Sequence, residues 1–224
     1  MAELYLVRHG QAGSVGGDYD RISDLGRRQS SLLGAHLAEL GLSFDRVARG
    51  DLRRHAETLD PLLAALGYDG APEVLPGLNE YDFHNVAEAY FAERPEPANF
   101  RSDKKVFFRS LRKALLAWSR DELPAELLRE SWQDFSDRVA DALERLCDPA
   151  KGERVLAVSS GGAISMALSQ ILGLTPEVAV ALNLQAKNSG FSRFIFNGKA
   201  IYLHSFNAAP HLETPERQAL VTFS

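Results

Sequence analysis

The tightest constraint on this chain is an alternation of short apolar runs with helical stretches. Leu4-Tyr-Leu-Val7 and Arg154-Val-Leu-Ala-Val158 are apolar at successive positions and too short for helices, so they read as strands buried on both faces. Between them, 24–40 carries Leu25, Leu32, Leu33, His36, Leu37 and Leu40 near a 3.6-residue repeat, with Ser23 before it and Gly41 after it. A second helical stretch, 52–66, stops at Gly67, while Asp45-Arg-Val-Ala-Arg49 and Glu73-Val-Leu75 read as weaker strands. Such a chain folds as α/β, a mainly parallel central sheet flanked by helices. The alternation lapses over 84–130. There, 103–120 is amphipathic, with Phe107, Phe108, Leu111, Ala114, Leu115 and Trp118 on one face and Lys105, Arg109, Arg112 and Lys113 on the other. We read this stretch as a helical insertion in a single domain, 1–224, and its basic face as the wet side of a helix. A helix covers 131–147, and another runs from about 163 to 172 after Ser159-Ser-Gly-Gly162. Strands near 191–196 and 200–205 flank Asn197-Gly198, which predicts an antiparallel hairpin with a type I′ turn.

Composition narrows the function. With 25 Lys and Arg against 30 Asp and Glu, the net charge is −5, which lacks the basic footprint that duplex nucleic acid requires. The lone cysteine, Cys147, excludes an internal disulfide and a cysteine metal cluster. No apolar run approaches the ~20 residues needed to cross a bilayer, and the arginine closing the first apolar run argues against a signal peptide. These features predict a soluble cytoplasmic protein with neither nucleic acid nor membrane as partner.

Arg8-His9-Gly10 closes the first strand, where open α/β sheets bind ligands. Arginine offers a donor fork for phosphate, and neutral histidine can attack phosphorus. Other elements follow in order: Ser23-Asp-Leu-Gly-Arg27 at one helix start, Asp51-Leu-Arg-Arg-His-Ala-Glu-Thr58 at the next, Leu78-Asn-Glu80, and Val158-Ser-Ser-Gly-Gly162. As an ordered set over essentially the whole chain, these resemble the histidine phosphatase superfamily, the phosphoglycerate-mutase-like proteins. The resemblance implies that His9 becomes phosphohistidine, that Arg8 and Arg54 clamp the phosphoryl oxygens, and that Glu80 serves as general acid and then base. It implies no cofactor and no metal, since the arginines supply the positive charge that phosphoryl transfer needs. Arg53 competes with Arg54 for the pocket, and Glu80 has the alternative of a surface carboxylate beside Tyr81. Gln11 is a candidate polar contact to substrate.

Several positions depart from the family pattern. Ser160 stands where the family usually has a second histidine on the phosphate, although the amides of Ser160, Gly161 and Gly162 can still cradle an anion. Loss of one preorganised donor costs about 3 kcal/mol, roughly 10²–10³ in rate. Ala12 and Val15 stand where the family often has serine and asparagine, which argues against a mutase. His84 and His211 are candidate auxiliary imidazoles. Asn188-Ser189 resembles a family feature that shapes the sheet near the site, with no chemistry of its own, and the Gly-x-Ser-x-Gly elbow of serine hydrolases is absent. The sequence therefore supports a phosphatase of small phosphomonoesters. The alternative is a weak or inactive phospho-ligand-binding protein on the same fold, with phosphoglycerate mutase third. The apolar face of 103–120 can close over the site or pair with a second copy, which leaves a homodimer open.

Overall fold

The computed structural model describes residues 1–13, 20–100 and 102–223. Val15 and most of the 13–20 loop lie outside them. The described residues form one six-stranded sheet and seven α-helices. The elements run β1 (Ala2–Arg8), α1 (Asp24–Glu39), β2 (Arg46–Arg49), α2 (Arg53–Leu66), β3 (Glu73–Val74), α3 (Phe83–Phe91), α4 (Lys104–Trp118), α5 (Trp132–Leu146), β4 (Arg154–Ser159), α6 (Gly161–Leu172), α7 (Pro176–Asn183), β5 (Phe191–Asn197) and β6 (Ala200–Ala208). Strand order is β3-β2-β4-β1-β5-β6. The first four of these strands pair in parallel, and β5 and β6 add antiparallel at the other edge.

The doubly buried strands divide their side chains between two cores. Leu4 and Leu6 of β1, with Val155 and Ala157 of β4, join the layer containing α3 to α6. Tyr5 and Val7, with Leu156 and Val158, face the layer of α1 and α2, where Leu33, Leu37, Leu59 and Leu62 are buried. Alternation on both faces is what an all-apolar strand demands. Each large side chain fully buried here stabilises the fold by about 1.5–3 kcal/mol. The parallel register places Arg8 beside Ser159, so the chain leaves β1 and β4 at one rim of the sheet.

The basic face of α4 is exposed at Lys105, Arg109, Arg112 and Lys113, while Leu111, Ala114, Leu115 and Trp118 pack into the larger core. Trp118 stacks on Phe135 at 5.7 Å and approaches Tyr81 at 5.4 Å. Phe107 and Phe108 of the apolar face remain half-buried.

Two helices were not anticipated, and one expectation needs correction. The segment after residue 82 holds a helix of its own, α3, capped by Asp82, whose side chain accepts from Asn85 N. A second unanticipated helix, α7, begins at Thr175-Pro176-Glu177, which carries the proline-at-N1 signal. The Asn197-Gly198 hairpin exists, but its turn is not type I′: neither Gly198 nor Lys199 is among the residues with positive φ. Asn197 sits at the first turn position instead, and its Oδ1 accepts from the amides of Lys199 and Ala200 at 2.8 and 3.0 Å. That side-chain turn replaces the backbone conformation the dipeptide suggests.

Candidate active site

His9 leaves β1 buried. Its amide donates to Ser159 O at 2.9 Å, and its carbonyl accepts from Ser189 N at 3.2 Å and Asn188 Nδ2 at 3.3 Å, so the backbone is held from both flanks. Its Nδ1 lies 2.8 Å from Gly10 O. A carbonyl can only accept, so Nδ1 carries the proton and Nε2 keeps its lone pair. Burial, then the charges of Arg54 and Arg8, hold His9 well below the usual histidine range. The ring is a neutral imidazole whose Nε2 carries no proton.

The two arginines reach this ring from different elements. Arg8, at the end of β1, donates through Nη1 to Ala186 O and to Phe223 O, the latter at 3.3 Å. Arg54 is buried in the first turn of α2, where Nη1 pairs with Asp20 at 3.0 Å and Nη2 donates to Ser160 Oγ at 3.3 Å. Leu52, the N-cap of α2, makes no side-chain cap. Asp20 supplies one from the stretch before α1 by accepting from Arg53 N at 3.1 Å. Arg53 itself is exposed and turned to Glu57 at 2.8 Å. Of the competing pair, Arg54 faces the cluster.

Glu80 is partly buried, and its Oε2 accepts from Gly162 N at 3.0 Å. A Cβ at Gly162 would collide with Glu80 Oε1, so only glycine admits the carboxylate here. At Gly161 a Cβ would meet Asn183 Oδ1 at 2.6 Å and stand 3.5 Å from Arg8 Nε. Desolvation raises the Glu80 pKa above the ordinary carboxyl value against the pull of the Gly162 amide, Arg54 and Arg8. The helix α6 starts at Gly161, two residues earlier than its periodicity suggests. The Gly162 amide, expected in an anion cradle, is therefore occupied by Glu80.

The remaining candidates fall elsewhere. Gln11 Oε1 accepts from Ser23 Oγ at 2.9 Å, which ties the side chain to the start of α1 rather than to the His9 cluster. His84 is exposed on α3 with its ring 4.1 Å from that of Phe83. His211 is buried behind the site, with Nε2 2.8 Å from Ser189 Oγ, and burial lowers its pKa to about 3. It braces the residue whose amide holds the His9 carbonyl. Ala12 forms a single antiparallel bridge with Ile22. One residue escaped the sequence reading. His55 is fully buried with its ring 6.1 Å from that of His9 and Nε2 2.8 Å from Ser160 Oγ. Its only signal is adjacency to Arg54, because its partner lies far along the chain. Among the described residues no three His, Cys, Asp or Glu side chains group as metal ligands, and no helix is long and apolar enough to cross a membrane.

Comparison with known proteins supplies the family. The model of the histidine phosphatase superfamily (branch 1) matches residues 4–209. The chain belongs to that superfamily. With membership comes its activity class, hydrolysis of phosphoric monoesters. Among relatives in the family, probable phosphoglycerate mutase GpmB of Shigella boydii is 28% identical over 204 residues, covering 86% of this chain and 84% of that protein. The mitochondrial serine/threonine-protein phosphatase Pgam5 of Drosophila grimshawi is 37% identical over 70 residues, 30% of this chain and 24% of that protein, so the match spans about a quarter of that relative. Among solved structures, the phosphoserine phosphatase of Entamoeba histolytica superposes with a TM-score of 0.66 at 23% identity, covering 95% of this chain and all of that one. Its α/β fold, mostly parallel with antiparallel C-terminal strands, is the fold described above.

Proposed function

We propose that this protein hydrolyses a small phosphomonoester through a phosphohistidine on His9. The observation that carries the reading is the state of His9: Nδ1 engaged by Gly10 O, and a neutral ring beside two guanidinium groups. In the first half-reaction His9 Nε2 forms a bond to phosphorus as the bond to the ester oxygen breaks. Glu80, kept protonated further up the pH scale by burial, gives its proton to the departing oxygen. Arg8 and Arg54 concentrate positive charge on the transferring group, where most phosphoryl-transfer catalysis lies. In the second half, Glu80 removes a proton from water as its oxygen bonds to phosphorus, and His9 leaves with its lone pair restored. The named activity of the Entamoeba structural neighbour, a phosphoserine phosphatase, supports a small substrate.

Steady hydrolysis of an aryl phosphate by the native chain is expected, with turnover in His9→Ala reduced to background. An acid-labile, base-stable phosphoryl label should appear on the native protein alone. No turnover across a broad panel of phosphate esters overturns the reading. Exchange of phosphate between positions of phosphoglycerate, in place of its release, would favour the mutase named among the relatives.

A further inference from the structure

His55 is a buried imidazole that the scheme above leaves without a task. Its Nε2 meets the Ser160 hydroxyl at 2.8 Å, and its Nδ1 has no hydrogen-bond partner among the described residues. That nitrogen faces the Gly50 backbone so closely that a Cβ there would collide with it. Ser160 is unusual in a complementary way. It holds the N-cap of α6 in extended conformation, φ −116° and ψ 164°, yet its side chain makes no capping bond. The hydroxyl turns instead to His55 and to Arg54 Nη2, the latter at 3.3 Å.

Counting protons decides what this arrangement does. A hydroxyl has one proton to give and two lone pairs to fill. Arg54 can only donate, so it fills one. A neutral His55 carries one N–H. Placed on Nδ1, that N–H would be buried against a backbone carbon with no acceptor, an arrangement folded proteins avoid. Placed on Nε2, it fills the second lone pair of Ser160. The serine proton then has neither neighbour to serve and must point to a third partner.

We propose that His55 is a positioning residue that fixes Ser160 as a hydrogen-bond donor to a phosphoryl oxygen held beside His9. The proposal rests on the pocket being a phosphate site. The serine that a helix start would otherwise claim for itself becomes a dedicated donor, oriented before substrate arrives and so free of reorientation cost.

The test is a double-mutant cycle read by calorimetric binding of inorganic phosphate and by kcat and KM for an aryl phosphate. Ser160→Ala and His55→Leu should each weaken phosphate binding by roughly 10- to 100-fold, the range of one hydrogen bond to a charged group. The double variant should be no weaker than either single one, since His55 acts only through Ser160. His55→Gln, whose amide can donate from nearly the same place, should restore binding to within a few-fold of native. Losses that multiply in the double variant, native binding in His55→Leu, or a folded His55→Gln as weak as His55→Leu would each overturn the proposal. A native protein that neither binds phosphate nor turns over esters would remove the underlying reading as well. Native binding and turnover with independent single effects would remove this inference alone.

Discussion

Glu80 sits under opposing demands, since the proposed chemistry uses its proton and packing resists its charge. Its pKa is raised in the folded state by burial. A carboxyl with a raised folded pKa supports the fold while protonated and loses that support as pH climbs through the folded value. Glu80→Gln keeps an oxygen for the Gly162 amide and removes the ionisation. It is therefore expected to melt higher than the native protein at pH 7 but not at pH 4, while kcat falls by about 10²–10⁴, the usual worth of a general acid. Equal melting at pH 7 would mean that the carboxylate is not strained by its setting. At this scale Arg8 and His9 were marked in the sequence by a strand end, whereas Arg54 and Glu80 came from the family resemblance of their motifs, because local signals left Arg53 and a surface carboxylate as alternatives. The His55–Ser160 contact was not legible, since it joins residues 105 positions apart. The fates of Gln11 and His211 also turned on distant partners, Ser23 and Ser189, with which each forms a hydrogen bond.

The loop bearing Glu80, the proposed general acid, is held by α5 through Arg138. Its Nη1 donates to Gly77 O at 3.2 Å and Asn79 O at 2.7 Å, and its Nη2 to Glu80 O at 3.4 Å. Glu130 steadies the guanidinium at 2.8 and 2.9 Å. Three carbonyls around the Glu80 side chain thus hang on one guanidinium. Arg138→Met preserves bulk and removes the donors. It should lower kcat by roughly 10- to 100-fold, as misplacement of a catalytic group does, with KM nearly unchanged; an unaltered kcat would assign the loop's position to the Tyr81 and Trp118 packing instead. The larger elements were readable from periodicity because long amphipathic or apolar patterns dominate local preference. The nine residues of α3 and eight of α7 are too short to show a repeat clearly. The late hairpin was readable as a hairpin, but its turn type depended on where Asn197 directs its own oxygen.

Across the whole molecule, three histidines are kept neutral inside the fold: His9, His55 and His211, all lowered chiefly by burial. Unfolding frees each to bind a proton near pH 6.5. Their depressed folded values mean that stability is complete above that pH and drains away as pH falls below it, by up to about 1.4 kcal/mol per pH unit for each histidine. Thermal melting should therefore decline steadily from pH 6.5 to 4.5, with a shallower decline in His211→Phe, whose folded pKa near 3 makes it a full contributor through that window. A flat profile would show that these rings are hydrated in solution. The placement of β1 has a different consequence. Arg8 is seated against Ser159 of β4, and Val7 against Phe191 of β5, so the strand that leads into His9 acquires its neighbours only when distant stretches of polypeptide meet. Helical signal can return within the first moments of refolding, but catalytic competence has to wait for that slow closure. A nascent or clipped chain ending before β4 would carry His9 on an unpaired thread, too loosely tethered to take phosphate from anything.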